Sequence, residues 1–310
     1  MAGIMIAYDL HVHTGFSSDS EEIPENMAEK AIELGMKGLC FTDHMDLYYP
    51  EKCVNESGGD FTFDLERYFI KMNEVREKYV TRADILTGIE LGLRNEPELK
   101  DKTTEEYLKM TADNSFDFVI GSTHCLENID PYYKEYWDGR TAEEGIKRYY
   151  DAIAENITRC TCFDTLGHLD YLVRYVEKEA ALRSLSLREK EGFSLSKEMI
   201  DEKNFYGKYI YRTSDFSDIT DKILKTLINT GKALEINGAG LKYGLGFAHP
   251  KKEILIRYRE LGGELITIGS DAHAAGQLAG YFSQIREELI DLGFKYYFIY
   301  KKRRPVGLAL

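Results

Sequence analysis

The chain is short of positive charge, holds no cysteine framework and lacks any long apolar run. Lys and Arg number 40 against 53 Asp and Glu, for a net charge of -13 over 310 residues. A summed field of that sign repels phosphate backbones and anionic lipid, so neither nucleic acid nor a membrane surface is an expected partner. Any phosphate that the protein handles must then be drawn by local positive charge, such as bound metal. No run approaches the roughly 20 apolar residues that cross a bilayer. The five cysteines (Cys40, Cys53, Cys125, Cys160 and Cys162) are an odd number without disulfide spacing. The opening "MAGIMIAYDL" has too short an apolar run, and no cleavage pattern, for a signal peptide. A reduced, cytoplasmic protein is expected. No G-x-G-x-x-G follows the first strand, which removes the usual reason to expect a dinucleotide site. Internal repeats and low-complexity tracts are absent.

What remains is a chain that is 43% hydrophobic, enough for a large core. Short β-rich runs alternate with amphipathic segments along almost its whole length. The expected strands are "IMIAYDL", "GLCFTDH", "DILTGIELGL", "FDFVIGSTH", "FDTLGHLDY", "ALEING" and "LITIGSDAH", with "KYYFIYK" as a possible closing strand. Between them, "PENMAEKAIELG", "DLERYFIKMNEVREKY", "TAEEGIKRYYDAIAENI", "TDKILKTLINTG" and "HPKKEILIRYRELGG" carry helical periodicity, several ending in the Gly of a helix C-cap. Seven or eight strand–helix units suggest an α/β barrel over residues 1–310 as one domain, with an open doubly wound sheet as the alternative. Residues 177 to about 217 are polar, Ser/Lys/Glu-rich and irregular, and read as a long βα insertion.

Six of the seven histidines fall at the ends of these strands: His11, His13, His44, His124, His168 and His273. In a parallel barrel all such ends lie on one rim, where barrel enzymes carry their chemistry. Glu90 in "GIELGL" and Asp271 in "SDAH" occupy the same rim. Residues i and i+2 of a strand point to one side, so His11 with His13, and Asp271 with His273, form two-toothed chelates. His249 in "FAHP" begins a helix and reads as a surface or capping residue. Asp43, beside His44, points to the opposite face and reads as an orienting group. Cys160 and Cys162 lack C-x-x-C spacing and read as core.

Imidazoles and carboxylates without thiolate suit two or three divalent ions, zinc, iron or manganese, with Glu90 free to bridge. Such a cluster lowers the pKa of bound water to about 7 and neutralises a phosphoryl group. Phosphate monoesters, whose hydrolysis needs accelerations up to about 10²¹, are the substrates that most require it.

"HVHTGFSSDS", "FTDH", "GIELGL", "GSTH", "GHLDYLVRY" and "GSDAH", in that order, resemble the polymerase and histidinol phosphatase (PHP) superfamily, over nearly the whole chain. The resemblance implies a distorted seven-stranded, TIM-like barrel. "GHLDYLVRY", "LEINGAGLK" and "SDAH" followed by "LGF" resemble its histidinol-phosphate phosphatase branch. It implies hydrolysis of L-histidinol phosphate in histidine biosynthesis, with another phosphate ester (nucleotide, sugar phosphate or phosphotyrosine) as the alternative. It also implies a trinuclear site: His11, His13, Glu90 and Asp271 for one ion; Glu90, His124 and His168 for a second; Asp19, His44 and His273 for a third. Arg174 matches a position that contacts substrate phosphate, and Lys242 stands where the branch often has a second Arg. The insertion would lie beside the pocket as lid, oligomer contact or decoration, with its tyrosines and Arg212 as candidates for substrate contact.

Overall fold

The computed structural model describes residues 6–57, 59–113 and 115–310. Seven parallel strands follow one another around a barrel: β1 (Tyr8–Val12), β2 (Gly38–Phe41), β4 (Asp84–Gly92), β5 (Phe118–Ser122), β6 (Thr165–Leu166), β7 (Ala233–Asn237) and β8 (Ile266–Gly269). A two-residue strand, β3 (His44–Met45), pairs with the far half of β4, placing His44 opposite Glu90. The ring closes between its first and last members: His13 N donates to Ala272 O at 2.8 Å, and Ala272 N to His11 O at 3.3 Å. Helices cover the outer face of the wall and strand side chains fill the interior, so the strands are buried throughout.

The helices are α1 (Pro24–Glu33), α2 (Glu51–Ser57), α3 (Leu65–Tyr79), α4 (Lys100–Asp113), α5 (Ala142–Arg159), α6 (Lys178–Glu189), α7 (Lys197–Ile200), α8 (Ser217–Thr230), α9 (Ala239–Lys242), α10 (Lys252–Glu260) and α11 (Phe282–Asp291). Local chemistry explains their ends. Thr141 and Glu144 form a reciprocal capping box at the start of α5, and Gly231, at φ +65°, closes α8 in the left-handed conformation.

Each expected barrel strand is present, though often shorter. Of "IMIAYDL", Ile4 and Met5 lie outside the described residues. "GLCFTDH" breaks at Thr42–Asp43, and "FDTLGHLDY" contributes only two strand residues before turning. Three expectations need correction. "KYYFIYK" does not join the barrel: β9 (Tyr296–Lys301) pairs antiparallel with β10 (Arg304–Ala309) in a separate hairpin. That hairpin bonds to residues preceding the barrel strands, with Tyr297 OH accepting from Ala7 N (2.9 Å) and Arg303 N donating to Asp117 O (2.9 Å), so it covers the N-terminal end. The insertion is not irregular, because α6 and α7 lie within it, followed by a π-turn at Tyr206–Ile210. The stripe of α6 is interrupted by polar residues that are paired elsewhere: Ser184 accepts from Ala142 N (2.9 Å) and Arg188 donates to Glu143 (2.9 Å). Lastly, His249 is not a surface residue; it is fully buried.

Candidate metal centre

Glu90 stands mid-rim on β4 with no exposure, and imidazoles surround both of its oxygens. Oε1 lies 2.9 Å from His168 Nε2 and 3.3 Å from His124 Nε2. Oε2 lies 3.1 Å from His11 Nε2, 3.0 Å from His44 Nδ1 and 3.6 Å from His13 Nε2. Asp271 Oδ1 faces His13 Nε2 at 3.4 Å, His273 Nδ1 at 3.6 Å and His11 Nε2 at 3.9 Å. Asp19, from the loop after β1, brings Oδ2 to 3.0 Å from His273 Nε2 and 3.7 Å from His44 Nε2. All nine residues expected to ligate metal therefore meet in one cluster. The Asp271–His273 pair converges for a different reason than strand alternation. Asp271 lies beyond β8 with φ +57°, so a turn aims it.

The donor set fits divalent ions. Several groups of three side chains, including His13–His44–His273 and His44–Glu90–His124, hold ligand atoms within 4.8 Å of one another. His13 Nε2 is buried without a hydrogen-bond partner, facing carboxylate oxygens at 3.4 and 3.6 Å. Two ligands about 2.1 Å from one ion stand roughly that far apart.

The electrostatics agree. Burial alone would raise the Glu90 pKa, but the imidazoles of His11, His44 and His124 hold its carboxyl well below the usual range. Asp271 is depressed likewise, against burial, by His11, His13 and Lys242. Burial works to lower His124, yet Asp46 and Glu90 push it up to about 10. His13 goes the other way: burial, then His273 and His44, drive it well below its ordinary value, leaving a neutral ring with a lone pair to give.

A second layer, of which the sequence-based expectations held only Asp43, orients these rings. His11 Nδ1 donates to Glu235 Oε1 (2.6 Å), and His124 Nδ1 to Asp46 Oδ1 (2.7 Å). His13 Nδ1 lies 3.1 Å from Ser17 Oγ, which donates to Asp43 Oδ1 at 2.8 Å; Asp43 thus orients a neighbour, as expected. Such carboxylate–imidazole pairs fix tautomer and raise ligand basicity. Two glycines admit them. A Cβ on Gly269 would stand 2.3 Å from His11 Cβ and 2.8 Å from Glu235 Oε1, and one on Gly92 would collide with Asp46 Oδ1 at 1.7 Å. A signal for this layer existed: Glu235 is a charged residue inside the apolar "ALEIN", and Asp46 follows His44 by two.

A cavity of about 520 Å³ opens over the cluster, lined by Asp19, His44, His124, His168, Asp271 and His273, with Arg174, Tyr171, Tyr175 and Tyr243 on one wall. Arg174 lies between aromatic rings, its Cζ 4.6 Å from the Tyr175 centroid and 4.3 Å from that of Tyr243. Its Nε and Nη1 are buried without a protein partner. Lys242 does not line the cavity; its Nζ donates to Asp271 O (2.7 Å) and Gln277 Oε1 (3.3 Å), bracing the loop that carries Asp271. Arg212 is exposed and sits over Phe193 at 5.5 Å, away from the cavity. The insertion instead lends Ile200–Phe205 to an adjoining groove, which shares Arg174, Tyr175 and Tyr243 with the cavity. Cys160 and Cys162 are buried, as expected, with their sulfurs 3.0 Å apart.

An α/β barrel with convergent imidazoles and carboxylates on its C-terminal rim is the architecture of a metal-site barrel enzyme. The chain matches the PHP domain over residues 9–239 and belongs to that family, in its histidinol-phosphatase branch. It is 30% identical over 276 residues to a histidinol-phosphatase of Lactococcus lactis, covering 86% of this chain and 84% of that protein. A probable histidinol-phosphatase of Clostridium acetobutylicum is likewise 30% identical, with 86% and 87% covered. The crystal structure of the histidinol phosphate phosphatase from Lactococcus lactis, complexed with zinc, L-histidinol and phosphate, is similar at a TM-score of 0.75. Identity there is 26%, with 97% of this chain and 98% of that one covered.

Proposed function

We propose that this protein hydrolyses L-histidinol phosphate to L-histidinol and phosphate, a step of histidine biosynthesis. The observation that carries the reading is the intact rim in a chain similar, over 97% of its length, to a histidinol phosphate phosphatase. His11, His13, Asp19, His44, Glu90, His124, His168, Asp271 and His273 would hold two or three divalent ions, zinc, iron or manganese. When bound, these ions supply Lewis acidity, lowering the pKa of water and offsetting charge on the phosphoryl group. Arg174 offers its unpartnered Nε and Nη1 to the phosphate, and the rings on either side hold the guanidinium plane in place. Lys242 acts through Asp271, fixing the carbonyl of the ligand loop while adding positive charge nearby.

An acidic group in the cavity suits a cationic alcohol. Asp130 lines the same cavity and accepts from Tyr49 OH and Tyr132 N, each at 2.8 Å. Among the described residues no Lys or Arg pairs with it, and burial raises its pKa despite those two donors. A substrate carrying both a phosphate and a protonated amine would find a cation and a carboxylate in this cavity.

Phosphate release from L-histidinol phosphate and from a panel of nucleotides, sugar phosphates and phosphotyrosine tests the reading. It is to be run on protein of counted metal content, before and after chelation and readdition. The expected result is metal-restored activity with kcat/KM favouring histidinol phosphate by orders of magnitude. Equal rates across the panel would remove the substrate assignment.

A further inference from the structure

The mechanism leaves the buried carboxylate of Asp170 unused. Asp170, fully buried, immediately precedes the 3-10 turn Tyr171–Tyr175 that carries Arg174. Its Oδ1 accepts from His249 Nδ1 at 2.6 Å, and its Oδ2 from Lys251 N at 2.9 Å and Tyr211 OH at 3.3 Å. Tyr211 OH lies 2.7 Å from Tyr150 OH on α5, and Lys251 Nζ donates to Tyr211 O at 3.1 Å. His249 is itself anchored to the end of β7, exchanging backbone bonds with Asn237 at 2.7 and 2.9 Å. One carboxylate therefore ties four segments together: the turn bearing Arg174, the loop entering α10, the returning end of the insertion, and α5.

Arg174 needs such a tie. Its one side-chain hydrogen bond goes to Tyr175, its own neighbour in the turn, and among the described residues no carboxylate pairs with it. Two of the three rings beside it, Tyr171 and Tyr175, belong to the same turn. The guanidinium thus moves with the turn, and Asp170 pins the turn from the residue just before it. The remaining nitrogen of His249, Nε2, is buried without a protein partner, and a Cβ on Gly240 would stand 3.2 Å from it, so it abuts α9, which packs on this turn.

We infer that Asp170 and His249 are a positioning pair for Arg174, and that Tyr211 makes the returning end of the insertion part of the phosphate site rather than a detachable lid. The inference rests on Arg174 receiving the substrate phosphate.

The test uses the metal-loaded protein and inorganic phosphate, with affinity read by calorimetry and KM and kcat read separately. His249→Leu is expected to weaken phosphate about tenfold and to raise KM more than it lowers kcat, at wild-type metal content. His249→Asn, whose amide can still donate to Asp170, is expected to recover most of that loss. Adding His249→Leu to Arg174→Ala is expected to cost nothing further. Equal losses in the two backgrounds, unchanged phosphate affinity, or metal loss in parallel with phosphate affinity would each overturn the inference. Should His249→Leu fail to fold, Tyr211→Phe in both backgrounds provides the same cycle with a smaller expected change. Wild-type protein that does not bind phosphate would overturn the Arg174 assignment and this inference together, whereas phosphate binding without histidinol phosphate turnover would remove only the substrate.

Discussion

The two ends of the barrel bury the same kinds of side chain and treat them in opposite ways. At the N-terminal end Asp117 accepts from Arg76 Nη2 (2.7 Å), Thr87 N (3.0 Å) and Lys302 N (3.1 Å), while Asp164 accepts from Val119 N (2.9 Å) and the Arg303 guanidinium. Each charge is matched by a permanent cation and by backbone N–H groups, so nothing is left for a ligand. At the C-terminal rim the ion-pair partners of Glu90, Asp271 and Asp19 among the described residues are imidazoles, with the Ser122 hydroxyl also donating to Glu90 at 2.6 Å. An imidazole can donate a proton or give a lone pair, so the same geometry that satisfies a carboxylate without metal becomes a ligand sphere with it. Pairing by guanidinium builds structure, and pairing by imidazole keeps a binding site open.

Substitutions sharpen this contrast, and the largest effect is expected at Glu90. Glu90→Gln keeps the shape and removes the charge, so metal content by elemental analysis should fall and kcat/KM should drop by roughly 10³-fold. The fold, followed by circular dichroism, should persist, because the partners of the carboxylate are imidazoles, which can give up their protons, rather than a permanent cation whose charge is then stranded. Arg303→Ala should invert that pattern. It leaves Asp164 buried without its guanidinium, costing about 2–3 kcal/mol in denaturant unfolding, with kcat/KM per folded molecule at the wild-type level. Should Arg303→Ala instead impair turnover while stability holds, the division between the two ends fails.

Smaller effects follow one layer out. Asp46→Asn removes the orienting partner of His124 and should reduce metal affinity by about 10- to 100-fold, measured by competition with a chelator. The smallest change is expected on the surface, where Asp221 pairs with Arg257 (2.6 Å) and Lys225 (2.8 Å) between α8 and α10. Hydrogen bonds from Arg257, then Lys225, hold the Asp221 carboxyl below its ordinary range. A depressed carboxylate contributes stability that is present above its unfolded pKa of about 4 and is lost as pH falls through the folded value. Asp221→Ala should therefore cost under about 1 kcal/mol at pH 7, and the difference from wild type should shrink on acidification.

The sequence by itself determined the alternation of strand and helix, because these patterns are local, while the choice of barrel over open sheet was made by the bonds between the first strand and Ala272. The sequence also determined the ligand types. His11 and His13 share a side by strand geometry, and the remaining imidazoles end their strands, so the rim was legible before any contact was known. Three things were not. The strands are buried on both faces, so no polar alternation reveals which side chains point inward, and Glu235 could not be assigned to His11 across 224 positions. The hairpin of β9 and β10 reads as a barrel strand from its apolar content, and only its bonds to Ala7 and Asp117 send it beneath the barrel. His249 reads as a helix-capping surface residue because its burial depends on Asp170, 79 positions away. Residue type and spacing decide what can bind metal. Strand register and barrel closure decide which groups orient the ligands, and those are properties of contacts between segments that no local pattern encodes.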